Sequence, residues 1–557
     1  MNSSLVEARD QLRDQYGLEF SRVCRALALL TDIKFVLVDE WVHQSALSHR
    51  TVSYLVDRLA PFFERQGDGL RFAPSLRSQA TALFASSAVP PDTWESLASQ
   101  HPTLPRLVEV LAARPQPDRH LDHVAATPLT ALKRALFLSR QYDLAQSPAL
   151  MLGDHDMTAV ALALLHPELD LAVVDIDDRL LSYIDELNRT QDTRIRTYFA
   201  DLRVELPGSL GGQFDLVFTD PPYSESGVGL FLQRAICALK EAEFTRIFLS
   251  YGYGERQTSL GYKVQATLSQ LRLLSEAILP RFNHYDGAPA LGQRSDLYIL
   301  RPTRRSLPAA QRYLSQPHIY TQGNQAQESD SDASFGPALI SAMKHAMTDW
   351  EEKRTLIVGP PIEQWPLDHV LSADLAVYFE QLRTAKSNFT KRTQVVINLY
   401  PTFPHLVAHT CLTTHADHLL LTAHQRPLAD LFAHSTPLSQ LIQSVFRLEQ
   451  RVQDGRLALV ELVRRRDIPE DATTLLVRQI LQRRRAQLGN AWREALIHTA
   501  ARNGSQLSKN AARRCIAQTT LGSYHAQSYI GEIPLGALAE LPDAATATLE
   551  AARNEQI

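Results

Sequence analysis

A mixed α/β class built on a doubly wound parallel sheet is what this chain predicts, and three observations carry the prediction. Between Ala149 and Arg301 the runs ALML, LAVVDI, RIRTYFA, FDLVFT, RIFLS and SDLYIL are strand-like, with helix-like stretches between several of them. The residues just after successive runs are acidic. The first turn carries one glycine, where a loop that cradles a dinucleotide would carry several.

The length of 557 residues exceeds what one core supports, because domains usually run ~100–200 residues. Two or three domains are therefore expected. Apolar content of 45% and charged content of 21% suit an ordinary soluble chain. A formal charge of −4 supplies no global basic field for nucleic acid. Cys24, Cys237, Cys411 and Cys515 lie far apart without CxxC pairing, which fits a reducing compartment. No stretch approaches the ~18 apolar residues of a membrane span and the N-terminus lacks an apolar leader core, so a cytoplasmic protein without a membrane partner is expected.

Taken in order, residues 1–115 read as a winged-helix-like unit: helical spacing over residues 5–30, a helix-turn-helix, then a Gly67-Asp68-Gly69 turn before an apolar strand. Arg50, Ser53 and Arg58 could enter a DNA groove, but the cations are few and Asp57 interrupts them, which favours packing or dimerisation. The Pro-rich stretch 110–130 reads as a connector. Residues 116–320 form the doubly wound unit, and the polar stretch 321–335 reads as a linker. Residues 336–557 read as a C-terminal α/β extension, with strand candidates RTLIVG and TQVVINLY and a helical, Arg-rich second half. Its runs Arg464-Arg465-Arg466 and Arg483-Arg484-Arg485 read as solvated helix faces or a surface for an acidic partner. No internal repeat stands out. His405, His409, Cys411, His415 and His418 are spaced closely enough to hold a metal, but no carboxylate pattern or second cluster accompanies them, so no metal is predicted.

In a doubly wound sheet ligands sit at the carboxyl ends of the strands. Gly153-Asp154-His155-Asp156 follows the first run here, Asp175 and Asp177 the second, Asp201 the third and Asp220-Pro221-Pro222-Tyr223-Ser224-Glu225 the fourth. An acid about 20 positions beyond the first glycine is placed to hold ribose hydroxyls, and Asp175 fits; Asp201 is placed to accept from an adenine amino group. Carboxylates in the first loop repel phosphate and attract a sulfonium or an ammonium. A cationic adenosyl ligand follows. The two prolines fix the backbone so that Asp220 can be aimed at a substrate nitrogen, while Tyr223 offers a π face to a cation. A nitrogen nucleophile must lose its proton, and Asp154, Asp156 and Asp220 are the candidate anchors and bases.

Gly153-Asp154-His155-Asp156, Val173 to Asp177 (VVDID), Phe218 to Tyr223 (FTDPPY), Asn283-His284-Tyr285-Asp286-Gly287 and Arg294-Ser295-Asp296-Leu297-Tyr298 together resemble the branched-chain polyamine synthases, over roughly residues 15–320. That resemblance implies a Rossmann-like, class I methyltransferase-like fold and transfer of an aminopropyl group from decarboxylated S-adenosylmethionine to an amine of spermidine or a related polyamine, releasing methylthioadenosine. It implies catalytic roles for Asp156, Asp220 and Tyr223, with Asp156, the last acid of the family's Gly-Asp-Asp-Asp motif, as base. The donor would meet Gly153, Asp154, Asp175, Asp177 and Asp201. The acceptor would meet Asp154, His155, Pro221, Pro222, Tyr223 and Glu225. His155 departs from the family's aspartate and makes one acceptor contact titratable. A homodimer is implied as well. Asp-Pro-Pro-Tyr also resembles the loop of amino-methyltransferases that act on DNA or RNA bases with S-adenosylmethionine, which is the alternative activity. A degenerate transferase used as an interaction module is the third reading.

Overall fold

The computed structural model describes residues 4–45, 47, 49–84, 94–191, 193–240, 244–253, 258–286, 294–313, 319–320, 335–360, 370–383, 389, 392–433, 436–502, 504 and 506–554. The linker expected at 321–335 lies outside these residues except for Phe335, and so does Gly287.

Near the N-terminus, helices Leu5–Tyr16, Phe20–Ala28, Val38–Ser45 and His49–Arg58 pack with a small antiparallel sheet of β1 (Val36–Leu37), β2 (Phe63–Gln66) and β3 (Gly69–Phe72), in the order β1-β3-β2. Trp41, Val52, Leu55 and Phe72 are buried in the core that these helices share with the hairpin.

The central sheet has eight strands: β4 (Ala125–Ala126), β5 (Ala149–Leu152), β6 (Leu171–Asp175), β7 (Ile195–Phe199), β8 (Leu216–Thr219), β9 (Arg246–Tyr251), β10 (Leu273–Asp286) and β11 (Arg294–Pro302). Their order is β4-β10-β11-β9-β8-β5-β6-β7, with β7, β6, β5, β8 and β9 mutually parallel and β11 antiparallel between β9 and β10. Every residue of β5, β6, β8 and β9 is buried. Strands covered on both faces need continuous apolar runs rather than alternation, which is why they stood out in the sequence. The chain lays down β5-β6-β7 toward one edge and β8-β9 toward the other, and this reversal of strand order opens a crevice at the strands' carboxyl ends. This is the Rossmann-like, class I methyltransferase-like fold expected.

A third sheet contains β12 (Thr355–Val358), β13 (Leu371–Ala373), β14 (Gln394–Asn398), β15 (His418–His424), β16 (Phe446–Asp454) and β17 (Leu457–Arg464), in the order β13-β12-β14-β15-β17-β16. β13, β12, β14 and β15 are parallel, and β17 runs antiparallel to both β15 and β16. This reproduces the order and directions of β6-β5-β8-β9-β11-β10. The expectation of no internal repeat is thereby corrected: the repeat is one of topology, and strand order is a long-range property that residue-by-residue similarity need not carry.

Two further expectations change here. Arg464 ends strand β17 rather than riding a helix, and its guanidinium donates to the Ala416 and Thr414 carbonyls (2.9 and 2.8 Å). The hairpin β16–β17 alternates charged and apolar residues, which reads ambiguously at helical or strand period. The connector expected at 110–130 instead contains the end of a helix (Leu104–Ala112), β4 and the start of another (Pro128–Gln141). Helices Ala472–Gln482, Leu488–Arg502, Lys509–Ala517 and Leu541–Asn554 complete the C-terminal part. It packs on the central sheet through Phe199 stacked on His409 (3.7 Å, 5°) and through the Leu535 amide donating to Asp178 (2.8 Å). Among the described residues no helix is long and apolar enough to cross a membrane.

Candidate active site

A cavity of about 940 Å³ opens at the carboxyl ends of β5, β6, β7 and β8, and Gly153, His155, Asp156, Asp175, Asp201, Asp220, Pro221, Pro222 and Tyr223 line it. Gly153 turns the chain out of β5 at φ +69°, a left-handed conformation that glycine adopts without strain, and its amide still donates to the Val174 carbonyl at 2.9 Å.

The centre of the site is a residue the sequence reading passed over. Arg134, on helix Pro128–Gln141, is fully buried. Its guanidinium donates to Asp156 Oδ2 and Asp220 Oδ2 at 2.7 Å each, and to Asn283 Oδ1, Tyr285 OH and Ser250 Oγ at 2.8, 3.0 and 3.1 Å. It also stacks over the Phe218 ring at 4.9 Å. Burial opposes its charge, but Tyr285, Asp156 and Asp220 overcome that and hold its pKa above the ordinary value. Asp156 completes its shell with the Ala126 amide (2.7 Å), and Asp220 with the hydroxyls of Tyr285 (2.6 Å) and Tyr223 (3.0 Å).

Two buried carboxylates thus share one guanidinium. Burial raises both, but Arg134 and the Ala126 amide outweigh it at Asp156 and bring that group below the usual carboxylate range. Burial, helped by the neighbouring Asp156 charge, pushes Asp220 up to about 7 despite Arg134. Two buried acids on one cation titrate as a coupled pair.

Around this centre the other expected residues divide. Asp175 lines the cavity, accepts from the Asp154 and Asp177 amides (3.0 and 2.8 Å), and is raised by burial. Asp177 caps helix Asp178–Thr190 and is gripped by Arg179, whose Nη2 lies 2.7 Å from Oδ2; burial raises it, and Arg179 more than reverses that. Asp201 lines the cavity while pairing with buried Arg203 (2.6 Å), itself held between the rings of Tyr320 and Phe403. Asp154 does not line the cavity. Its carboxylate accepts from the Thr158 and Ala159 amides (both 2.9 Å) at the start of the helix after β5, and burial raises it to about 8. Burial, then His123, lowers His155 to about 4, so its imidazole is neutral. Glu225 faces a neighbouring cavity of about 1030 Å³, 3.5 Å from the Lys263 ammonium.

Arg134, Tyr285, Ser250 and the 116–124 wall were missed as site residues. The Lys133-Arg134 pair inside the otherwise apolar stretch ALKRALFL was the available signal. The five residues His405 to His418 do not assemble as ligands among the described residues: His409 Nε2 faces the Ile533 carbonyl (2.9 Å), and His415 Nε2 those of Phe389 and Arg392 (2.7 and 2.6 Å).

Residues 103–305 match the family model described as the branched-chain polyamine synthase A C-terminal domain. That segment is similar to the branched-chain polyamine synthase family. An N(4)-bis(aminopropyl)spermidine synthase of Methanocaldococcus jannaschii is 34% identical over 194 residues, 34% of this chain and 55% of that protein. An uncharacterized protein of the same organism is 35% identical over 194 residues, 35% of this chain and 48% of its own length. The chain thus spans about half the length of these relatives. A crystal structure of the branched-chain polyamine synthase of Thermus thermophilus, in complex with N4-aminopropylspermidine and 5'-methylthioadenosine, is 21% identical, with 58% of this chain and 97% of that one covered at a TM-score of 0.35.

Proposed function

We propose that the protein is an aminopropyltransferase that moves the aminopropyl group of decarboxylated S-adenosylmethionine to an amine of spermidine or a related polyamine. The observation that carries this reading is the Asp156–Arg134–Asp220 cluster on the wall of a cavity that Asp175 and Asp201 also line. Two cationic substrates need such walls, and the names of the relatives point the same way.

In this reading the sulfonium donor rests with its ribose toward Asp175 and Asp177, its adenine toward Asp201, and its reacting carbon toward Asp220. Gly153 lets the backbone approach the donor, and Asp154 holds the helix after β5 rather than touching either substrate. The acceptor lies along His155, Pro221, Pro222 and Tyr223, with its far end toward Glu225. The amine lone pair attacks the carbon next to sulfur, the C–S pair returns to sulfur, and methylthioadenosine leaves as a neutral thioether. The proton released from nitrogen goes to the Asp156–Asp220 pair rather than to Asp156 alone, because Arg134 and the Ala126 amide hold Asp156 anionic and its charge raises Asp220. Tyr223 and Tyr285 keep the Asp220 carboxylate aimed. Residues 116–320 form the catalytic unit in this reading, and residues 1–115 and 336–557 are accessory.

The test is incubation of the full chain with spermidine and each donor separately. Methylthioadenosine and a heavier polyamine are expected from decarboxylated donor only. Turnover with S-adenosylmethionine alone, releasing adenosylhomocysteine, would replace this reading with methyl transfer.

A further inference from the structure

His155 is 6% exposed, yet neither of its ring nitrogens has a hydrogen-bond partner. A buried imidazole with both nitrogens unmatched is costly unless something outside the chain completes it. Its ring stacks on that of His123 with centroids 4.4 Å apart and planes 19° apart. Beyond His123, Asp177 Oδ2 lies 4.0 Å from His123 Nδ1. One donor atom from each of the three side chains falls within 4.8 Å of the other two.

We propose that His123, His155 and Asp177 bind one divalent first-row transition-metal ion of the zinc or cobalt kind on the wall of the cavity. Two imidazoles and a carboxylate match such ions, whereas magnesium and calcium take oxygen shells. A tetrahedral ion with bonds of roughly 2.0–2.2 Å holds its donors roughly 3.4 Å apart, so closure needs movements of about 1 Å. The pieces that must move are short: His123 lies between the 3-10 turn Arg119–Leu121 and β4, and His155 sits in the loop after β5. The Asp177 carboxylate is already fixed by the Arg179 side chain and amide, with Nη2 2.7 Å from the same Oδ2 that faces His123, so an ion there shares that oxygen with the guanidinium. The Asp118 amide reaches His123 Nδ1 only at 3.5 Å, a marginal bond that an ion readily displaces. Bound, the ion would tie the segment before β4 to the ends of β5 and β6.

The experiment is titration of the chelator-treated full chain with Co2+, followed by visible absorption and competition with Zn2+, without substrate or turnover. One Co2+ per chain is expected, displaced by Zn2+, with uptake weakened on the order of 10-fold or more in His123→Gln and His155→Gln. The metal-induced rise in Tm should vanish in both variants. No uptake by the wild type, or wild-type uptake by both variants, would overturn the site. Should either variant unfold, X-ray absorption at the cobalt edge of the wild type decides: two imidazole nitrogens support the assignment, and none or one overturns it.

Discussion

Six strands of the central sheet and the six of the C-terminal sheet run in the same order and directions, yet among the described residues only the first ends in a cluster of buried acids. Glycine follows the first strand in both, Gly153 at φ +69° and Gly359 at φ +101°; a side chain at Gly359 would collide with the Asn398 carbonyl. The carboxyl ends of β8 and β14 then diverge. In the first, Asp220 enters the cavity and meets Arg134. In the second, Asn398 turns inward, donating to the Pro360 carbonyl (3.0 Å) and accepting from the Tyr400 amide (3.1 Å) and the Thr422 hydroxyl (2.8 Å). Helix Pro128–Gln141 before β5 supplies a buried arginine, whereas the basic residues of helix Pro337–Ala346 before β12, Lys344 and His345, are both exposed. Topology provides a place for a site, and a buried counter-ion decides whether carboxylates can live there.

Four measurements would break or sharpen this contrast. The largest effect is expected on turnover: Asp220→Asn and Asp156→Asn should each lower kcat/KM by about 10²–10⁴-fold while donor binding measured by calorimetry is largely kept. Full activity in either would remove that aspartate from the proton's path. Next, Arg134→Met strands two buried carboxylates and should cost about 3–5 kcal/mol in urea unfolding, along with activity. An undiminished midpoint would mean that the pair does not need its cation. In the C-terminal sheet, Asn398→Asp sets a carboxylate oxygen against the Pro360 carbonyl, with no arginine among Asn398's partners in the described residues, and should cost about 2–4 kcal/mol. A neutral outcome there would show that the two sheets differ less than their counter-ions suggest.

The smallest effect is on pH dependence. Asp220 must be ionised to take a proton, so kcat/KM should climb as pH rises through about 7 and level off above it. Stability has the opposite slope. Asp154, Asp178 and Asp220 are raised by burial to about 8, 7 and 7, above the ~3.9 of an unfolded aspartate, so the folded state binds more protons between these limits. Urea midpoints should therefore fall from pH 5 to pH 8, and Asp178→Asn should flatten that fall. A midpoint that rises with pH would show these acids ionised throughout.

The strands of the central sheet were legible because their buried faces leave unbroken apolar runs, and the acids at their ends were legible because strand ends face the crevice in any doubly wound sheet. Asp156, Asp175, Asp201 and Asp220 were found on those grounds, and the cavity gathers all four. Asp154 shows the limit of the same reasoning: its place in the loop is as expected, but its carboxylate turns to the helix amides. The C-terminal hairpin was read as helix because its amphipathic pattern is compatible with either period over a short span.

By itself, then, the sequence determined the sheet class, the position of the crevice and the acids that could face it, all of which depend on residues close together in the chain. Only the tertiary structure decided that Arg134 joins Asp156 to Asp220 across 22 and 86 residues, that His123 stacks on His155, and that two sheets share one order. Those are pairings between distant segments, set by which surfaces bury each other, and no local pattern encodes them.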